Sequence, residues 1–160
     1  MPTANDDSVR RLRAAGLRIT TPRLEVLRTL SEGPSHLDAD RIAAAVRART
    51  GGISAQTVYN VLASLIAAGL VRRIEPARGP GRYELRVGDN HHHVVCRCCD
   101  AIADVDCAVG DTPCLTAADD SGYEIDEAEV IYWGRCPACV AAASGSSSSD
   151  EASRPSGARP

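Results

Sequence analysis

Two Cys-x-x-Cys pairs, Cys96-Arg97-Cys98-Cys99 and Cys136-Pro137-Ala138-Cys139, constrain this chain more than any other feature. Four thiolates in two knuckles are the set that a closed, tetrahedral structural zinc prefers, at about 2.3 Å per bond. All seven cysteines lie after residue 95. An odd, clustered number of cysteines reads as metal or redox chemistry in a reducing compartment rather than as a disulfide framework. The N-terminus, MPTANDDSVRR, has no apolar core followed by a cleavage site, and no stretch reaches the roughly 18 apolar residues of a membrane span. A cytoplasmic protein with no membrane segment is therefore expected. The rival for the knuckles is a pair of redox disulfides. Zinc also meets a need: a small acidic region in a chain with 3% aromatics and no Phe gains about 10 kcal/mol or more of apparent folding energy from such a clamp.

The stretch HHHVVCRCCD, residues 91–100, sets three histidines beside the first knuckle. In a strand alternate residues share a face, so His91 and His93 point one way while His92, Val94 and Cys96 point the other. One face then offers two imidazoles and the other feeds a cysteine to zinc. Imidazole with carboxylate suits iron, manganese, nickel or zinc in an exchangeable site. Spacing alone does not select the remaining ligands, and an exposed polar edge is the plainer reading of the histidine pair.

Charge divides the chain. Up to Gly88 there are 14 Arg against 8 acids, and from Asp89 onward 4 against 13, so the first part suits a polyanion and the second does not. All 18 basic side chains are arginine, which favours bidentate contacts, although biased genome composition explains the usage equally well. Within the basic part, SVRRLRAAGL predicts a short helix closed by Gly16. TTPRLEVLRTLSEGP predicts another, capped by Thr21 with Pro22 in the first turn and Leu24, Leu27 and Leu30 inward. HLDADRIAAAVRART predicts a third, capped by Asp38, with Ile42, Ala45 and Val46 inward. Ser54 caps a fourth whose inner face is Val58, Leu62 and Leu65 and whose end is Gly69. LVRRIEPARGPGRYELRV then reads as a hairpin with an Arg-rich tip. Helices followed by a basic hairpin spell a winged helix-turn-helix.

A recognition helix packs one face and presents small polar side chains near its N-terminus to a major groove roughly 12 Å wide. The fourth helix offers Gln56, Thr57, Tyr59 and Asn60, and Arg72, Arg73, Arg78 and Arg82 stand ready for phosphates or the minor groove. The bland alternative is a solvated helix face beside an ordinary hairpin. Beyond residue 90, HHHVVC and AIADVDC predict strands, DTPCLTAADDSG a short helix and loop, YEIDEAEVIYW one or two strands, and AAASGSSSSDEASRPSGARP a disordered tail.

GLRITTPRLEVL, SHLDAD, ISAQTVYNVLASLIAAGLV, GRYEL, DNHHHVVCRCC and YWGRCPAC occur in an order that resembles the ferric uptake regulator family of metal-dependent repressors, over roughly residues 8 to 140. The resemblance implies a homodimer of winged helices joined to α/β dimerisation domains, with a regulatory metal at the hinge. It implies Cys96, Cys99, Cys136 and Cys139 as structural zinc ligands and His36, Glu84, His91, His93 and Asp104 as the regulatory site. It implies Arg18 and Tyr59 on DNA, with Asn60 adjoining. Asp104, where iron-uptake members tend to have Glu, is similar to the peroxide-sensing branch, in which ferrous iron reacts with peroxide and a ligand histidine is oxidised, here His36 or His91. Two features depart from the pattern. Glu84 replaces the shorter Asp of many peroxide sensors, one residue further from the histidines. Ala128 stands where the family's additional metal site usually takes a histidine, so that site is expected to be absent or altered. Cys98, Cys107 and Cys114 are extra thiols, open to a redox role, with inert burial the expectation for at least two of them.

The expected fold is α+β: a winged helix-turn-helix over 1–88, a small zinc-containing α/β dimerisation and sensing domain over 89–141, and a tail over 142–160. The expected function is a metal-dependent repressor, not an enzyme, controlling peroxide defence through an A/T-rich inverted repeat in double-stranded DNA. Zn2+ is the structural ion and Fe2+ or Mn2+ the regulatory one, with Ni2+ or Zn2+ as other occupants. Iron or nickel homeostasis is the alternative within the family. A zinc hydrolase is the alternative outside it, disfavoured because four thiolates leave zinc no open position for water.

Overall fold

The computed structural model describes residues 4–76, 79–87, 89, 91–107, 117–125 and 128–145. Helices α1 (Ala4–Ala14) and α2 (Thr21–Glu32) lead to a short strand β1 (Leu37–Asp38), then α3 (Ala39–Thr50) and α4 (Ala55–Ala67). Strands β2 (Arg72–Ile74) and β3 (Arg82–Glu84) form the wing. They are followed by β4 (His91–Cys96), β5 (Ile102–Asp106), β6 (Ile131–Gly134) and helix α5 (Pro137–Gly145). The mixed helix and strand composition is the expected α+β class.

Local chemistry explains most of the boundaries. The Asp38 side chain accepts a hydrogen bond from the Arg41 N–H and starts α3, and Ser54 accepts from Thr57 to start α4. Each satisfies one of the donors that a helix N-terminus otherwise leaves free. Gly51, at φ +69°, ends α3 in the left-handed conformation that glycine adopts without cost. Helix α2 corrects the expected cap. Its N-cap residue is Thr20, with no side-chain cap bond, and Thr21 is already helical. The extended Thr20 backbone and Pro at the first turn set that start without the hydroxyl.

The buried faces differ from the expected ones by single positions. Helix α2 buries Val26, Leu27, Thr29 and Leu30, and Leu24 is only partly covered. Helix α3 buries Ala43 rather than Ala45. Helix α4 buries Val58, Leu62 and Leu65 as expected, and Val61 with them. Val26, Leu27, Leu30, Ala43, Val58, Val61, Leu62 and Leu65 form one continuous core with Leu12, Leu37, Ile42, Val46, Val71 and Tyr83.

Two three-stranded sheets follow, ordered β1-β3-β2 and β5-β4-β6. In the first, all pairs are antiparallel, with Leu37 opposite Tyr83 and Arg72 opposite Glu84. In the second, β4 is central, antiparallel to β5 with His93 opposite Asp104, and parallel to β6 with His93 opposite Ile131. Among the described residues of YEIDEAEVIYW, residues 131–133 are strand, continuing to Gly134 as β6; residues 126–127 lie outside the described residues. The helix expected around residues 111–116 also lies outside them. Helix α5 corrects the start of the tail, since residues 142–145 are helical. It nucleates on the second knuckle, where the Val140 N–H donates to the Cys136 carbonyl, and three consecutive alanines extend it. Residues 146–160 lie outside the described residues.

Candidate metal centres and DNA-reading face

The four knuckle cysteines meet. Ligand atoms of Cys96, Cys99, Cys136 and Cys139 all lie within 4.8 Å of one another. Cys99 Sγ is 3.7 Å from Cys136 Sγ, far longer than the ~2 Å of a disulfide and equal to the edge, about 3.8 Å, of a tetrahedron with 2.3 Å arms. The first knuckle turns tightly: the Asp100 N–H donates to the Cys96 carbonyl with Asp100 at φ +57°, and the Cys96 N–H donates to Ala101. The Cys136 N–H donates to Cys96 Sγ at 3.3 Å. That bond, with others from the Cys98 and Cys99 backbone, draws the Cys96 thiol down to about 6. The neighbouring Cys136 and Cys99 thiols push Cys139 well above its ordinary range. A group of sulfurs in which one ionises readily and another holds its proton against crowding fits a dication that would replace the protons. The residues present fit zinc.

The second cluster is assembled from both sheets. Three imidazole Nε2 atoms converge on one carboxylate oxygen, Glu84 Oε2: His36 at 3.0 Å, His93 at 3.3 Å and His91 at 3.4 Å. Asp104 Oδ1 closes the group, 2.9 Å from His36 Nε2 and 3.7 Å from His93 Nε2. The four groups His36, Glu84, His93 and Asp104 all lie within 4.8 Å of one another. His91 stands beside them, its Nε2 4.0 Å from Asp104. Strand parity is as expected: His91 and His93 share this face, and His92 lies on the other, its ring 6.2 Å from Tyr132. One carboxylate oxygen has two lone pairs and cannot accept well from three donors. His36 Nδ1, His93 Nδ1 and Glu84 Oε1 are buried without a hydrogen bond; His91 Nε2 lies 3.2 Å from Glu84 Oε1, but the two are not aligned for one. Such orphaned atoms carry a cost of roughly 1–3 kcal/mol each. Lone pairs turned inward on a shared point, with unsatisfied atoms behind them, fit a divalent cation.

The surroundings adjust this cluster. Burial alone would raise the Glu84 carboxyl, but hydrogen bonds from His36 and His93 and the charges of His93 and His91 outweigh it and lower it to about 2. His36 occupies the left-handed region at φ +64°, a strained backbone worth about 1–3 kcal/mol that persists only where its surroundings impose it. It follows the turn after α2 and precedes β1, so its conformation aims the ring back under the wing. Behind His91, Asp89 Oδ1 meets Nδ1 at 2.7 Å. Burial opposes the lowering of Asp89 that Arg86 and His91 produce. Arg86 also pairs with Asp106 at 2.6 Å and lies 3.7 Å from Asp104 Oδ2. A cleft of about 310 Å³, lined by Ser35, His36, Glu84, Arg86 and Asp104 among others, leads to the cluster from outside.

On α4, Gln56, Tyr59 and Asn60 are exposed and Thr57 half-buried, as a reading face requires. Gln56 donates to Asn60 at 3.0 Å, and Tyr59 Oη donates to Asp40 at 2.6 Å. That bond raises the Tyr59 hydroxyl above its ordinary value. Arg18 is exposed, and its carbonyl accepts from Arg23, which also donates to Ser64 of α4. Of the wing arginines, Arg82 corrects the sequence expectation. Arg82 is turned inward to Asp38 at 2.9 Å, Arg73 meets Glu75, and Arg72 meets Glu129. Asp38 thus caps α3 and neutralises Arg82 together, a double use the linear spacing hides. Arg78 and Cys114 lie outside the described residues. Cys98 is exposed and Cys107 half-buried, so burial does not account for either. Arg23, Asp40, Asp89 and Glu129 are the participants that sequence reasoning missed; Ser64, Tyr59 and His93, met by Arg23, Asp40 and Glu129, lie in other elements and leave no periodic signal, and Asp89 sits in a loop two residues from His91.

Within the described residues the two clusters are the groups of histidine, cysteine and acid that come together in this way, and none includes Ala128. No helix among the described residues is long and apolar enough to cross a membrane. The model of the "Ferric uptake regulator family" matches residues 14–133. Over 122 residues the chain is 66% identical to "Ferric uptake regulation protein 1" of Mycolicibacterium fortuitum, covering 76% of this chain and 75% of that one. It is 57% identical over 133 residues to "Transcriptional regulator FurA" of Mycobacterium tuberculosis, covering 83% of this chain and 90% of that one. Among solved structures, the ferric uptake regulator of Pseudomonas aeruginosa with manganese superposes with a TM-score of 0.64 at 27% identity, covering 81% of this chain and 98% of that one. Family members bind DNA and act as dimers. With two metal-fitting clusters and an exposed polar face on α4, the chain belongs to the ferric uptake regulator family of metal-dependent transcriptional regulators and is not an enzyme.

Proposed function

We propose that this chain is a cytoplasmic, homodimeric repressor in which residues 1–88 read DNA and residues 89–141 dimerise and sense. Cys96, Cys99, Cys136 and Cys139 hold structural Zn2+. His36, Glu84, His91, His93 and Asp104 hold the regulatory ion, Fe2+ or Mn2+, with Ni2+ or Zn2+ as competitors. Arg18, Gln56, Thr57, Tyr59, Asn60 and Arg78 face an A/T-rich inverted repeat.

One observation carries the reading. His36 and Glu84 come from the first sheet and its approach, His93 and Asp104 from the second, and their ligand atoms close on one point. Holding both sets together fixes the angle between the two units, and through it the spacing of two α4 helices in a dimer. Losing the ion leaves the buried lone pairs facing one another, which drives the units apart and releases the half-site spacing. In gel shifts on A/T-rich inverted repeats, Mn2+ or Fe2+ should tighten binding and a chelator should reverse it; affinity indifferent to both would refute the mechanism.

The signal we assign is peroxide. Ferrous iron held by these residues would activate peroxide: the O–O bond breaks, one oxygen is inserted at an imidazole carbon in a two-electron oxidation of the ring, and the other leaves as water. His36 and His91 are the imidazoles placed to take up oxygen, and a modified ring loses its fit to Glu84 Oε2. Support comes from the short carboxylate Asp104 and from the cleft that reaches His36. Peptide mass spectrometry of the peroxide-treated ferrous form should find one added oxygen on His36 or His91. The names of the mycobacterial relatives favour a second reading, control of iron uptake. That reading holds if chelation releases DNA while peroxide leaves both histidines unmodified.

A further inference from the structure

The two sensing histidines of β4 are treated differently on the side away from the cluster. His91 has a carboxylate at its Nδ1, Asp89 Oδ1 at 2.7 Å. His93 is more deeply buried, 1% exposed, and its Nδ1 has no hydrogen bond. Glu129 Oε1 lies 3.9 Å from that atom. Closing the gap to a hydrogen bond takes about 1 Å, within reach of a long side chain that is itself 37% exposed. The backbone delivers Glu129 to this place, because the His93 N–H donates to the Val130 carbonyl and His93 pairs with Ile131.

The same oxygen of Glu129 is 3.8 Å from an Arg72 guanidinium nitrogen on β2. Arg72 is directly opposite Glu84 in the β2–β3 pair. The contacts therefore close a ring: Glu84 to His93 across the cluster, His93 to Glu129 behind it, Glu129 to Arg72 across the units, and Arg72 back to Glu84 through the sheet. A single contact between two bodies is a pivot; a second one displaced from it fixes the angle.

We propose that Glu129 is a positioning residue that anchors His93 through Nδ1 and ties it to Arg72 of the wing. It rests on the metal-site reading of the preceding section. A ligand nitrogen must present a lone pair, so with Nε2 turned to Glu84 and Asp104 the ring proton sits on Nδ1 and needs an acceptor. A carboxylate there fixes the tautomer, orients the ring and makes Nε2 a stronger donor. A cation on Nε2 in turn makes Nδ1–H a stronger donor and draws Glu129 inward, and Arg72 with it. Occupancy is thereby reported to the wing by a route separate from Glu84.

The test uses the full chain with structural zinc in place and the regulatory site empty. Mn2+ titration calorimetry should show Glu129→Ala weakening Mn2+ about tenfold, with Glu129→Gln in between because its amide carbonyl still accepts from Nδ1–H. Long-range 1H–15N spectra should show His93 protonated on Nδ1 in the native chain and shifted toward Nε2 protonation in Glu129→Ala. Unchanged affinity and tautomer in Glu129→Ala overturn the anchoring role. For the tie to the wing, Arg72→Ala and Glu129→Ala should be non-additive in Mn2+-dependent DNA affinity, and additivity overturns it. His93→Ala keeping native Mn2+ affinity would instead sink the metal site itself, a separate failure.

Discussion

From Leu12 to Tyr83 the first part of the chain buries a continuous apolar cluster, whereas among the described residues from His91 onward the buried groups are Val95, Cys96 and three histidines. Strand β5 is nowhere buried, and Tyr132 on β6 is 49% exposed. Burying a large aliphatic side chain stabilises by roughly 1.5–3 kcal/mol, so the winged helix carries its own core. The second sheet has little of that kind and relies on ligand bonds and, in a family of dimers, on the partner copy. Under the function proposed above, this difference suits the second unit to sensing. A unit whose cohesion depends on sulfur, imidazole and carboxylate changes state when its ions change, while the reading head stays folded to be repositioned.

The largest expected effect comes from breaking the sulfur cluster. Cys136→Ser should remove a large part of the apparent folding energy, about 10 kcal/mol or more, that structural zinc supplies to the second unit. Hydrogen exchange should become fast in residues 91–106 and 131–145 and remain slow in α2, α3 and α4. Equal acceleration in the helices would mean that the two parts do not differ as described. The reverse experiment is Leu62→Ala. This side chain is 1% exposed within the first core, and its truncation should cost about 2–5 kcal/mol. The urea midpoint of the helices should fall while one zinc per chain is retained by metal analysis.

The same contrast decides what could be read from the sequence. The first part was legible because hydrophobic period and caps act locally: Asp38, Ser54 and the Val58, Leu62, Leu65 face stand where the spacing puts them. The misses there are shifts of one or two positions, Thr20 for Thr21 and Ala43 for Ala45, where a proline-led first turn or a small side chain leaves the local signal indifferent. In the second part, repeating Cys-x-x-Cys and strand parity gave the sulfurs and the His91, His93 face. Apart from Asp89, two residues before His91, the partners of those histidines are non-local. His36, Glu84 and Asp104 entered through resemblance, and Asp89 and Glu129 not at all. No period links Glu129 to His93; only the parallel pairing of β4 with β6 does. The fate of Arg82 was equally hidden, because Asp38 lies 44 residues away.

Acid sharpens the comparison at the junction. The Glu84 carboxyl, ordinarily near 4.5, is lowered to about 2 in the folded chain. The folded state therefore favours the ionised form. That contribution is complete above about pH 4.5 and is lost as pH falls through the interval down to about 2. Glu84→Gln has no such group. With the regulatory site empty, the stability difference between native and Glu84→Gln chains should shrink as pH falls below about 4.5, read from urea midpoints at stepped pH. The comparison is confined to the pH range over which metal analysis finds structural zinc still bound in both chains. A difference that stays constant down to pH 3 would show that Glu84 does not draw its ionisation from the three histidines.

The smallest effect on stability belongs to the reading face, and this makes it the cleanest test of the division of labour. Tyr59 is 40% exposed, lies outside the apolar core, and its hydroxyl bonds sideways to Asp40 at 2.6 Å. Removing an exposed hydroxyl changes folding by within about 0.5 kcal/mol. On DNA the same hydroxyl sits on the first turns of α4, where a good base contact is worth about 1–3 kcal/mol. Tyr59→Phe should thus leave thermal unfolding and Mn2+ affinity unchanged and weaken binding to the cognate repeat at least about fivefold. Asp40→Asn separates two roles for the acid. If Asp40 serves to aim the tyrosine, its loss should weaken specific binding although a negative charge has been taken away from a polyanion's path; if it serves only as a repulsive neighbour, binding should tighten on every sequence alike. The sign of that change, measured on cognate and random duplexes at one salt concentration, tells whether α4 reads alone or with α3 behind it.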